Sequence, residues 1–124
     1  MRRTMAILFL GMGLAAVGLA ASDARWERVP AKDHGRANPM LGRPEATEGG
    51  ARVYRDHCLQ CHQANGEGDG HKRPSLRSAE IRGVSDGDLE WFLRQGDLRR
   101  GMPSWSSLPE AQRWQVIVYL RSLR

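Results

Sequence analysis

The sequence predicts an all-α domain, and three observations carry that expectation. No window alternates apolar and polar residues with period two. Three short stretches place apolar residues at helical spacing instead. The segments between them are rich in glycine and proline, as loops that join short helices are. At 124 residues the chain is long enough for one domain.

Residues 1–21 stand apart from that domain. Met1-Arg-Arg-Thr is a short basic start, and Met5 to Ala21 is an unbroken apolar run of mostly Ala, Gly and Leu. Small residues at Gly18 and Ala20, or Ser22 and Ala24, offer cleavage sites ahead of a charged stretch, the layout of an export signal. The run is also close to the shortest stretch that spans a bilayer, so a retained membrane anchor is the second reading. Both place the remainder outside the cytoplasm, in a periplasm-like compartment, soluble or tethered. Loss of Arg2 and Arg3 lowers the formal charge from +5 to +3. That is mildly basic and unlike a nucleic-acid-binding stripe.

Residues 22–48 contain Pro30, Pro39 and Pro44 with scattered charge and no apolar period, and read as an extended tail or linker. Trp26, Val29, Met40 and Leu41 are the side chains that could pin it to the domain. Residues 49–124 form the domain proper. Its first helix runs from Gly50 to Cys58, with Val53, Tyr54 and Cys58 on one face. Gln63 to Leu76, with three glycines and a proline, is a loop. Ser85 caps a helix over Asp86–Gln95, with Asp88 in its first turn, Leu89, Phe92 and Leu93 on its apolar face, and Gly96 as terminator. Asp97 to Ser106 is irregular. Ser107-x-x-Glu110 forms a capping box for the last helix, with Pro109 in its first turn. Trp114, Ile117, Val118, Tyr119 and Leu120 give that helix a broad apolar face.

Short helices separated by two long loops bury little apolar surface, and domains of this size usually need a staple. A disulfide between Cys58 and Cys61 closes too small a loop to help much. A large buried apolar cofactor would complete the core.

The two cysteines and the histidine behind them, C-L-Q-C-H at 58–62, form the attachment signature of c-type haem. At a helix end, positions i and i+3 project to one side and can be alkylated by the two vinyl groups of a porphyrin edge. The next residue, His62, then offers its imidazole to the iron as proximal ligand. A thioredoxin-like dithiol would need a βαβ context, which is missing. Structural zinc would need a second closely spaced ligand pair, and His57 and His71 do not form one. For the sixth iron position Met102, in the constrained loop GMPSW, is the best candidate. Met1, Met5 and Met12 leave with a cleaved signal, and Met40 belongs to the tail. His71 is the rival ligand, while His57 and His34 read as surface histidines.

Together these residues resemble the class I mono-haem cytochromes c of bacterial periplasms, over about Gly49 to Leu123. Gly50, Tyr54 and Cys58 follow that family's N-terminal helix, in which the glycine lets the C-terminal helix cross closely against an aromatic, here Tyr119 or Trp114. GMPSW resembles its methionine loop and WQVIVYLRSL its closing helix. Gln63 stands where relatives often have glycine. The resemblance implies a cytochrome c fold around one covalent haem c, with Cys58 and Cys61 as thioether anchors and His62 and Met102 as axial iron ligands. It also implies that the Pro74 carbonyl accepts the proximal imidazole N–H. Trp105 either donates its indole N–H to a haem propionate or simply packs. Arg99 and Arg100 pair with a propionate, form a docking patch for an acidic partner, or are solvated.

The implied activity is one-electron transfer between periplasmic redox proteins, such as a dehydrogenase and a terminal oxidase or reductase. The chain is then a carrier with no catalytic residue of its own, free or as the electron-transfer subunit of an oxidoreductase complex. The alternatives are a haem-based sensor or peroxidase-like protein in which the methionine is displaced, and a haem-free interaction module. Membrane contact is expected only if residues 5–21 stay attached.

Overall fold

A computed structural model describes residues 24–124. The expected signal or anchor, residues 1–21, lies outside the described residues. Among the described residues six α-helices follow one another: α1 (Ala31–His34), α2 (Pro44–His57), α3 (Leu59–His62), α4 (Ala79–Gly83), α5 (Asp86–Gln95) and α6 (Glu110–Ser122). Among the described residues the only β-type pairing is an isolated bridge between Asp97 and Met102. No helix among them is long and apolar enough to cross a membrane.

The frame of the domain is the crossing of α2 and α6. A Cβ at Gly50 would stand 2.1 Å from the Gln115 carbonyl oxygen and 2.8 Å from Tyr119 Cβ, and one at Gly49 would stand 2.9 Å from the Gln115 side chain. The two helices therefore approach backbone to backbone at Gly50, at a distance only glycine permits. Tyr54 and Tyr119 pack beside the crossing with ring centroids 5.2 Å apart, so Tyr119 is the aromatic that meets it. The helical spacing of Val53, Tyr54 and Cys58 predicts a helix that starts at Gly50. The helix instead begins at Pro44, where the fixed proline φ and the missing N–H suit the first helical position, with Glu45 in the first turn.

Val53, Tyr54, Ile81, Leu89, Leu93, Trp114, Val116 and Ile117 form the buried core. Helix α5 is built as its sequence implies. Ser85 Oγ accepts from Asp88 N at 3.0 Å, the Asp88 carboxylate accepts from Ser85 N at 2.9 Å, and Gly96 ends the helix at φ +68°. Two local expectations are corrected. The capping box at Ser107 does not form: α6 starts at Glu110 after Pro109, with no side-chain cap. Glu110 is drawn away instead, to the guanidinium of Arg36 and the indole N–H of Trp114. Helix α4, capped by Ser78 Oγ on Ile81 N, lies in a stretch with no helix foreseen.

The larger correction concerns the segment read as an extended tail. Its residues 24–43 coil through a short 3-10 turn (Trp26–Arg28) and α1, and dock along α5. Arg94 reaches Asp33 at 2.5 Å, and Asn38 donates to Asp86 at 3.0 Å and to the Trp114 carbonyl at 3.1 Å. A Cβ at Gly87 would lie 2.0 Å from the Asp33 carbonyl oxygen, so the segment presses directly on the α5 backbone. At the centre Glu90, 0% exposed, accepts from Arg113 (2.9 Å), Arg94 (2.8 Å) and Arg36 (3.0 Å). Of the foreseen apolar pins, Trp26 and Met40 pack against the core, whereas Leu41 is exposed.

Candidate functional site

Helix α2 ends at His57, and α3 adds a single turn in which Cys61 N and His62 N both donate to the Cys58 carbonyl, at 3.2 and 2.9 Å. This winding sets Cys58, Cys61 and His62 on one wall of a cleft. Both cysteines are free thiols and partly buried. Burial, helped by the neighbouring Cys61, pushes the Cys58 thiol up to about 11.

After His62 the chain turns at Gln63, the one non-glycine residue with positive φ among the described residues (φ 67°, ψ 170°). The strain explains why glycine is common there in the family the sequence resembles. The Gln63 carbonyl accepts from the Tyr54 hydroxyl at 2.6 Å. Burial, with Cys58 next, holds that phenol protonated up to about 12.

The glycine-rich loop that follows is ordered. Gly68 N donates to the His62 carbonyl at 3.2 Å and Leu76 N to the Gly66 carbonyl at 2.7 Å. Asp69 accepts from His71 N (2.9 Å) and Arg73 N (3.0 Å), and these bonds hold its carboxyl down at about 2. Gly68 lies so near the Arg73 carbonyl that a Cβ would approach it to 2.1 Å. The loop thereby brings Pro74 to the cleft wall.

His62 is held neutral there. Burial lowers its pKa, and Arg73 acts in the same direction against Asp69. Its Nδ1 is buried with no hydrogen-bond partner. The bond expected from this imidazole to the Pro74 carbonyl is therefore not formed, although both residues line the same cleft.

The facing wall comes from the irregular stretch after α5. Asp97 and Met102 exchange both backbone hydrogen bonds, Asp97 N to Met102 O at 2.9 Å and the reverse at 3.0 Å, around a tight loop turned by Gly101 at φ +80°. This clamp presents Met102 to the cleft. Trp105 N donates to the Leu93 carbonyl at 2.8 Å, and the Trp105 ring sits 5.3 Å from that of His57. Leu76, Ile81, Leu89, Phe92, Leu93, Val116 and Leu120 supply the apolar interior, and the cleft encloses about 1060 Å³ counting its open mouth.

All six sequence-derived site residues, Cys58, Cys61, His62, Pro74, Met102 and Trp105, line this one cleft. So do His57 and Arg100, whereas Arg99, His71, His34 and Met40 do not line it. Sequence reasoning missed Arg25 and Trp26, which line it from the N-terminal segment. An aromatic inside an otherwise polar, proline-bearing stretch was the available signal.

The residues fit a covalently attached haem. Two free thiols stand beside a neutral imidazole with an orphaned nitrogen, a thioether is clamped in a loop, and the space between is apolar. Zinc fits poorly, since no group of three or more His, Cys, Asp or Glu among the described residues could hold a metal ion. A family model described as cytochrome c oxidase, cbb3-type, subunit III matches residues 45–120, from the start of α2 to near the end of α6.

The chain belongs to that family.

Its helices form the cytochrome c fold, and a cytochrome c domain implies haem c and haem-based electron transfer. A cytochrome c domain of this type implies a carrier of electrons. The match leaves out residues 24–43, which dock on α5. No curated protein and no solved structure matches the chain significantly.

Proposed function

We propose that the domain carries one electron at a time on a single haem c, with His62 and Met102 as axial ligands and Cys58 and Cys61 as thioether anchors. The observation that carries this reading is the convergence of these four side chains on one apolar cleft, from two segments far apart in sequence. Cys58 and Cys61 would hold the haem covalently through their free thiols. The bound group supplies a ferric–ferrous couple, and retention of both ligands keeps reorganisation small. The chain's own work is to exclude water with Leu89, Leu93, Val116 and Leu120, and to keep His62 unprotonated. The Asp97–Met102 clamp fixes the thioether in place. Family membership supports a place in an oxidase complex. The basic and apolar start of the sequence supports export to the periplasm, soluble or tethered.

The test is expression in a host with haem-maturation machinery, followed by spectra in both oxidation states. A low-spin protein whose methionine-to-ferric-iron band disappears in Met102→Ala supports the reading. A high-spin protein that binds carbon monoxide in the wild type points to a ligand-binding role instead. A colourless product would sink any haem function.

A further inference from the structure

We propose that the N-terminal segment 24–43 is a built wall of the cofactor cleft, in which Trp26 shields the haem from water and so raises its reduction potential. This rests on the haem reading above. The segment lies outside the residues the family model matches, so family membership does not assign it this role.

The indole of Trp26 is fixed on two sides. Its ring stands 5.3 Å from that of Phe92, itself a cleft residue, and its Nε1 donates to Glu80 at 2.7 Å. Arg25 lies beside it with a side chain only 12% exposed, 3.7 Å from Glu80, and its guanidinium stands over the indole. A linker lying loosely on a surface would not bury an arginine. The segment is also held from behind: Arg94 grips Asp33, Asn38 binds the Trp114 carbonyl, and Arg36 enters the buried Glu90 cluster. Trp26 is therefore positioned by the domain rather than resting against it.

The electrostatic consequence has a definite sign. Ferric haem carries one more positive charge than ferrous haem, so water at the haem edge favours the ferric form and lowers the potential. A tryptophan that fills the cleft wall acts in the opposite direction, while the cation of Arg25 is offset by the Glu80 carboxylate 3.7 Å away.

The test uses the holoprotein and reads the midpoint potential by spectroelectrochemistry. Trp26→Ala should lower the potential relative to wild type, and Trp26→Phe should restore most of it. Ile117→Val, which trims a core residue outside the cleft lining, should lower the thermal midpoint and leave the potential in place. If Trp26→Ala takes up no haem, Trp26→Leu replaces it, with a smaller drop expected. Unchanged potentials in the Trp26 variants, in a protein that retains its haem, overturn this inference alone. A wild-type chain that takes up no haem overturns it together with the reading beneath it.

Discussion

Glu90→Gln probes the cluster that joins three parts of the chain. In the native protein Glu90 Oε1 accepts from Arg113, and Oε2 accepts from both Arg36 and Arg94. Glutamine keeps the shape but replaces one acceptor oxygen with a donor. With the amide nitrogen turned toward Arg113, a guanidinium only 8% exposed would face another donor. The cheaper orientation turns it toward Arg36 and Arg94, which are 36% and 29% exposed and can recruit water. Even then two charge-assisted bonds are lost, at about 1 kcal/mol each after allowance for that exposure. Arg113 also loses its compensating charge. The sum is about 3 kcal/mol, at the lower end of the cost of breaking a buried ion pair. At about 4–8 °C per kcal/mol, the thermal midpoint should fall by about 12–24 °C. Guanidinium denaturation of the holoprotein, followed by far-ultraviolet circular dichroism, measures the loss directly. A loss below about 1 kcal/mol would refute the reasoning, because the cluster would then be hydrated in solution.

Two further outcomes follow from the site walls. Gln63 occupies a backbone region suited to glycine, its side chain is exposed, and the carbonyl that receives the Tyr54 hydroxyl would survive substitution. Gln63→Gly should therefore stabilise the protein by about 1 kcal/mol, as relief of strain outweighs the added freedom of the unfolded chain; a net loss in denaturation would count against strain. Asp69 has a folded pKa below its unfolded value, so its contribution to loop order is present above the usual 3.8 and fades as pH falls through about 2. Amide shifts of His71 and Arg73 followed by NMR should titrate near pH 2 and lose that step in Asp69→Asn, whereas a midpoint near 4 would contradict the loop geometry.

What was legible in the sequence divides by the kind of signal each residue leaves. Cys58, Cys61 and His62 announce themselves by spacing, and Ser85 with Asp88 by the identity of their side chains. Leu89, Leu93, Trp114 and Ile117 follow the helical period because they face an apolar core. Asp33, Asn38, Glu90 and Arg113 are buried just as deeply, yet each looks like surface when read alone. Only the partners that compensate them, many positions away, make their burial tolerable. For that reason the sequence of the docked segment reads as a tail. The close crossing at Gly50 beside Tyr119 is, by contrast, legible through the family resemblance, while the contact of Gly49 and Gly50 with Gln115 is not.

The crossing of α2 and α6 also sets an order in time. Its two halves, residues 44–57 and 110–122, are made at opposite ends of the domain's synthesis. Contacts this far apart in sequence close late, after the intervening loops have been drawn in. Val116 and Leu120, which complete the apolar interior, arrive with the second half. A chain still emerging thus exposes the two thiols just beyond α2 before the α6 wall stands opposite them. Whatever is to be attached there has an interval of access that ends when residues 110–122 settle into place.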